Sequence, residues 1–238
     1  MIKWQIHTFA EVGSTNDVIK DYCNKTGQYV VVRAERQTAG RGRRGRLWNS
    51  MDGNLFFSLA LEISLQYFGQ LVIAAALSLL QAIKALAPKA DVQLKWPNDV
   101  LLGGAKVSGM LLEKGPNEYM IIGIGVNILQ YPEVGMLYPT TSLKQEKINT
   151  TAADFMMLYL QYFEYNLQLM HNGQTALLRQ QWLENAKGVG DMIKVLQEDQ
   201  ELCGIFKGID ENAHLLLEKD NKICQIRAGD VFYIEKEK

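Results

Sequence analysis

The sequence predicts an α+β protein built on a mixed β-sheet with helices, followed by a small β-barrel at the C-terminus. Two observations carry this. Short β-branched and apolar runs dominate the first half of the chain, and long helical patterns follow them. Beyond Lys187-Gly188-Val189-Gly190 the composition changes to closely spaced short runs separated by turn residues. The 238 residues suit one large domain with a small appendage, so the boundary is placed between residues 1–188 and 189–238.

The elements follow in order. Ser14-Thr15-Asn16-Asp17, ahead of Val18, Ile19 and Tyr22, has the pattern of a helix N-cap. Tyr29 to Ala34, with three consecutive valines, and Asn54 to Ile63, after the Asp52-Gly53 turn, read as buried strands. Leu71 to Leu86 has apolar positions at helical spacing and Pro88 just beyond its end, which predicts a helix packed on that sheet. Its apolar centre, Leu71 to Ile83, is interrupted by Ser78 and Gln81 and is too short to cross a bilayer. Further strands are expected at Val92 to Trp96, Val100 to Leu102, Lys106 to Glu113 and Tyr119 to Val126, with Gly103-Gly104 as a hairpin turn. Thr151 to His171 and Gln174 to Ala186 read as helices. The runs Asp191 to Leu196, Leu202 to Ile209, His214 to Glu218, Ile223 to Ile226 and Val231 to Ile234 would make the barrel.

Composition excludes several classes. Lys and Arg number 25 against 26 Asp and Glu, a net charge of −1, which argues against coating nucleic acid or an anionic membrane through an overall field. The three Cys, at 23, 203 and 224, form no C-x-x-C pair and read as reduced thiols. The N-terminus lacks the apolar core of a secretory signal, so a cytoplasmic location is expected. His7, His171 and His214 lack metal-ligand spacing, and neither H-E-x-x-H nor G-x-S-x-G occurs. With no covalent nucleophile apparent, the expected chemistry is positioning and electrostatics.

The near-neutral total conceals a local excess. Six of the eight Arg fall between positions 33 and 46, opposed there only by Glu35. Four of them lie in Gly40-Arg41-Gly42-Arg43-Arg44-Gly45-Arg46-Leu47-Trp48. Gly40, Gly42 and Gly45 satisfy G-x-G-x-x-G, but no helix opens after them, so the dinucleotide reading fails on context. A flexible loop with forked donors suits a polyphosphate or a carboxylate becoming an acyl phosphate. A solvated basic loop or a nucleic-acid patch fits the run equally well.

Three more blocks stand out. Lys95-Trp96-Pro97-Asn98-Asp99 ends a strand in good turn chemistry, which leaves Lys95 unexplained. Lys106-Val107-Ser108-Gly109-Met110-Leu111-Leu112-Glu113 starts with a Lys just past the hairpin. Gly123-Ile124-Gly125-Val126-Asn127 sets two glycines inside a strand, where a bulge or the close approach of a ligand requires them.

In this order, these blocks together with Ser14-Thr15-Asn16 resemble the biotin protein ligase family. The C-terminal runs resemble its SH3-like barrel, and the fold implied for the first domain is a catalytic domain like that of class II synthetases. The resemblance implies that biotin and ATP condense to biotinyl-5′-AMP with Mg²⁺, and that biotin passes to a lysine of the biotin carboxyl carrier domain of a biotin-dependent carboxylase. It assigns catalysis to Arg41, Arg43 and Lys106. Biotin would be held by Ser14, Thr15, Asn16 and Gln37 around the ureido ring, and by Gly40, Arg41, Gly42, Arg43, Lys106, Gly109, Gly123 and Gly125. Arg43, Arg44, Arg46, Trp48, Asn98, Asp99, Lys106 and Asn127 would face ATP, with Asp99 also a metal candidate. Ser14 lies too close to Met1 for the DNA-binding domain of the repressor members, so no DNA partner and no membrane partner are expected. A monomer or a homodimer fits. A lipoate-type acyl-adenylate ligase and a non-enzymatic module binding nucleic acid or a partner are the competing readings.

Overall fold

The computed structural model describes residues 2–23, 29–133, 136, 138–197 and 200–234; the end of the expected barrel segment, 235–238, lies outside the described residues. Seven strands form the first sheet: β1 (Gln5–Val12), β2 (Tyr29–Gln37), β3 (Leu55–Glu62), β4 (Val92–Lys95), β5 (Asp99–Leu102), β6 (Ala105–Lys114) and β7 (Tyr119–Val126). Their order is β1-β2-β3-β7-β6-β5-β4. The sheet is mixed because β1 runs parallel to β2 while the other neighbours are antiparallel. β1 is an edge strand without a fully buried residue, so it lacked the apolar run that marks β2 and β3.

Alternation along the strands separates two faces. Leu55, Phe57, Leu59 and Leu61 of β3 join Ile122 and Ile124 of β7 in the main core, under α2 (Phe68–Leu86) and α3 (Ala152–His171). Each fully buried Leu or Phe contributes roughly 1.5–3 kcal/mol there. Ala60 and Ile121 face the other way, onto Ile19 and Cys23. That face also carries α1 (Thr15–Val18), a single turn entered from Ser14. The Ser14 side chain makes no capping bond, and its carbonyl accepts from Asp17 and Val18 N–H.

With the turn before it, α2 spans Leu65–Leu86, which is long and apolar enough to cross a membrane by length and composition, more than the sequence pattern suggested. Two thirds of its most apolar window is nevertheless buried inside the protein. The interrupting Ser78 is a core contact: it donates to Ala74 O at 2.6 Å and accepts from Asn166 Nδ2 at 2.9 Å. After α3 comes α4 (Thr175–Glu184).

The second sheet is antiparallel throughout. It contains β8 (Met192–Leu196), β9 (Glu201–Ile209), β10 (Leu215–Lys219), β11 (Lys222–Ile226) and β12 (Asp230–Tyr233), in the order β11-β10-β9-β8-β12. Trp96 Nε1 donates to Ala213 O at 2.8 Å, and Tyr233 Oη donates to Lys187 O at 3.1 Å. The first bond ties the β4–β5 turn to the β9–β10 loop; since Lys187 N–H donates to Leu94 O at 2.9 Å, the second brings β12 beside β4, where the cleft described next is completed.

Candidate active site

One transverse row of the first sheet makes the floor of a cleft of about 410 Å³. Gly125 of β7 pairs with Gly109 of β6, Gly109 with Asp99 of β5, and Asp99 with Lys95 of β4. Residues opposite one another share a face, so two glycines without side chains lie beside a carboxylate and an ammonium. The space above the glycines is taken by an indole. A Cβ on Gly125 would stand 2.3 Å from Trp48 Cε2, and one on Gly109 would stand 2.9 Å from Trp48 Cζ3. The Trp48 indole N–H is buried and has no hydrogen-bond partner among the described residues.

A polar network closes one end. Thr15 donates from its N–H and its hydroxyl to Gln37 Oε1, at 2.9 and 3.1 Å. Ser58 Oγ lies 2.7 Å from Thr15 Oγ1 and 2.6 Å from Asn16 Oδ1, and Asn16 Nδ2 donates to Glu113 Oε2 at 2.7 Å. Gly123, opposite Ser58, leaves room for Asn16: an added Cβ would lie 2.2 Å from Asn16 Oδ1. Ser14, Thr15 and Asn16 are all buried. Donors and acceptors gathered beside bare backbone can bind a small polar ring that carries both N–H and C=O groups.

The cationic end is built by the arginine segment, which is a hairpin here and not an open coil. Trp48 N–H donates to Gly40 O at 2.9 Å, Arg41 bridges Leu47, and Gly42 N–H donates to Arg46 O at 2.7 Å. Arg44 (φ 55°) and Gly45 (φ 70°) turn the chain in the left-handed region, which glycine enters freely and arginine at a cost. Arg41 binds both oxygens of Asp17, at 2.6 and 2.8 Å, and this contact holds the Asp17 carboxyl down at about 2. Arg46 forks onto both oxygens of Asp230, and Arg44 reaches the same carboxylate at 3.1 Å. Burial would raise Asp230, but the Arg46 hydrogen bonds and the charges of Arg46, Arg44 and Arg43 bring it below the usual carboxylate range. Among the described residues Arg43 donates to the Gly229 carbonyl, at 3.4 Å, and burial pulls its guanidinium down from its ordinary value.

Two lysines complete the wall. Lys106 Nζ lies 2.6 Å from Asp99 Oδ1. Lys95 is buried with its Nζ 3.0 Å from the centre of the Tyr138 ring, and burial pushes it down to about 8. Burial also lifts the Tyr138 hydroxyl to about 12, which keeps that ring a neutral cation platform.

Of the residues assigned to biotin from sequence, all but Gly40 line the cleft. Gly40 sits behind it, where a Cβ would come 2.8 Å from Trp48 O. Of the nucleotide set, Arg43, Arg46, Trp48, Asn98, Asp99 and Lys106 line the cleft, whereas Arg44 and Asn127 do not. Asn127 is buried and donates to Thr141 O at 3.0 Å. Sequence reasoning missed Asp17, Tyr138 and Asp230 as parts of the site. The net charge of −1 shows that carboxylates balance the arginines overall without saying which of them meet, so residue type did not mark the acids. Among the described residues no group of three or more His, Cys, Asp or Glu is placed to hold a metal. Asp99, tied to Lys106, makes no metal site by itself; a Mg²⁺ would arrive on nucleotide phosphates and keep several waters, with Asp99 beside it.

Residues 9–127 match the family model for the biotin/lipoate A/B protein ligase family, and residues 189–233 match that for the biotin protein ligase C terminal domain. The chain belongs to the biotin/lipoate A/B protein ligase family. It is 37% identical to the biotin–[acetyl-CoA-carboxylase] ligase of Paracoccus denitrificans, over 85% of this chain and 89% of that one. Identity to the bifunctional ligase/repressor BirA of Bacillus subtilis is 34%, over 87% of this chain and 67% of that one. Among solved structures, the biotin protein ligase of Aquifex aeolicus in complex with biotin and ATP has a TM-score of 0.83 at 27% identity, covering 97% of this chain and 99% of that one. The family's catalytic and C-terminal parts meet here at the cleft, to which Asp230 and Val231 contribute.

Proposed function

We propose that this chain is an ATP-dependent biotin protein ligase that makes biotinyl-5′-AMP and transfers biotin to one lysine of a biotin carboxyl carrier domain. The observation that carries the reading is the junction in one cleft of a polar end, a glycine floor under the Trp48 indole and a cluster of cations. The first step joins a biotin carboxylate oxygen to the α-phosphorus of ATP and breaks the bond to pyrophosphate. Two anions meet, and fixed cations oppose their repulsion without a covalent enzyme intermediate. Arg43 and Lys106 are placed for that task, since both line the cleft and the Lys106 ammonium lies beside Gly109. Arg41, paired with Asp17, holds the hairpin to α1 and so covers the polar end. In the second step the lysine amine attacks the acyl carbon and AMP leaves. Mg²⁺ enters with ATP as part of the substrate and offsets phosphate charge.

The C-terminal domain match and the biotin ligase relatives favour biotin over lipoate within the family. The near-neutral chain offers no overall field for DNA or an anionic membrane, and the reading takes a carrier protein as the macromolecular partner of a cytoplasmic monomer or homodimer. Pyrophosphate release from MgATP tests the reading: it is expected with biotin and absent with lipoate, and the reverse pattern would overturn the assignment.

A further inference from the structure

We infer that Asp230 is a built-in stand-in for a nucleotide phosphate, holding the arginine hairpin against the C-terminal sheet until ATP takes its place. The inference rests on the ligase reading and deepens it. Asp230 opens β12, is only 8% exposed and lines the cleft, yet both its oxygens are turned to arginines of the other domain. Arg46 binds it with two terminal nitrogens, the fork geometry that fits carboxylate and phosphate alike. Arg44 reaches it from a left-handed backbone position, which the ion pair helps to hold. Arg43 lies next to them on the Gly229 carbonyl, with no acid bonded to it among the described residues.

Two guanidinium groups on one carboxylate, with the third of Arg43 beside them, leave an excess of positive charge. A polyphosphate offers more oxygens and more charge than a single carboxylate, so the two compete for the same donors. Arriving phosphate therefore releases Asp230, and the hairpin transfers from β12 to the nucleotide. The C-terminal sheet in this way sets how tightly ATP is held, through a residue that need not touch the reacting atoms.

Asp230→Asn removes the competing charge and keeps the shape. With the full chain, the expected result is a KM for ATP lower by about 5-fold or more, the lower end of typical coupling between sites. The KM for biotin should stay within about two-fold, and Asp230→Glu should return the ATP value toward wild type. A merely structural Asp230 predicts the opposite, a looser hairpin and a higher KM for ATP. An unchanged or raised KM in a folded Asp230→Asn protein would overturn the inference, and Asp230→Ser serves if the Asn variant does not fold. Calorimetric binding of inorganic tripolyphosphate reads the same exchange without turnover. Tighter binding to Asp230→Asn than to wild type supports the exchange even if no biotinyl-AMP forms, in which case the ligase reading fails alone; equal or weaker binding contradicts the exchange.

Discussion

Arg41 donates from both terminal nitrogens to the two carboxylate oxygens of Asp17, tying the first residue of the arginine hairpin to the single helical turn that carries Thr15 and Asn16. Asp17 is half exposed, so the pair adds no more than about 1 kcal/mol to stability. Its carboxyl is held at about 2, below the ordinary 3.8, so this contribution is full above pH 3.8 and is lost as pH falls toward 2. Asp17→Asn should therefore barely move the melting temperature at pH 7 while speeding tryptic cleavage between Arg41 and Arg46. Unchanged cleavage would mean that the pair does not restrain the hairpin.

The strand glycines should respond unequally to alanine. At Gly125 the obstacle is the Trp48 ring, a side chain on a hairpin that can move; at Gly123 it is Asn16, fixed by Ser58 and Glu113. Gly123→Ala is expected to cost about 1–3 kcal/mol as an overpacked site. Gly125→Ala should cost less, shift the Trp48 fluorescence toward that of an exposed indole, and raise the KM for biotin. Chemical denaturation and biotin titration of both variants measure the difference.

Arg43→Ala and Lys106→Ala are each expected to slow adenylate formation by about 10²- to 10³-fold, the scale of one lost electrostatic contact in a transition state. Single-turnover rates equal to wild type would remove either residue from the chemistry.

Lys95 gives a pH signature. Its folded value of about 8 lies below the ordinary 10.5, so the folded protein loses this proton first and the Lys95 contribution to stability rises between about pH 8 and 10.5. Function should move the other way, because the cation facing the cleft is lost above pH 8. The kcat/KM for ATP is expected to fall above that pH, and Lys95→Arg should shift the fall beyond the range where Lys titrates. A profile identical in the two proteins would detach Lys95 from ATP capture.

The fold was legible where burial leaves a pattern. β2, β3 and α2 announce themselves through valine runs and helical spacing, and Gly103-Gly104 through a turn in which both residues take positive φ. β1 did not, because an edge strand can keep polar residues on both faces. In the site, residues in compact blocks were readable, since a glycine or a lysine in a strand asks for a reason. Asp17 and Asp230 were not, because their partners lie 24 and up to 186 positions away and an isolated aspartate in a turn or at a strand start looks ordinary. The hairpin closure by Gly40 and Trp48 was hidden similarly: backbone pairing leaves no mark in residue type.

The most direct measurement is the intact mass of a biotin carboxyl carrier domain after incubation with the purified protein, biotin and MgATP. A gain of one biotinyl group at a single lysine, dependent on both small molecules, is the predicted result. No gain with biotin, or a lipoyl gain when lipoate is supplied with its own carrier domain, would contradict it.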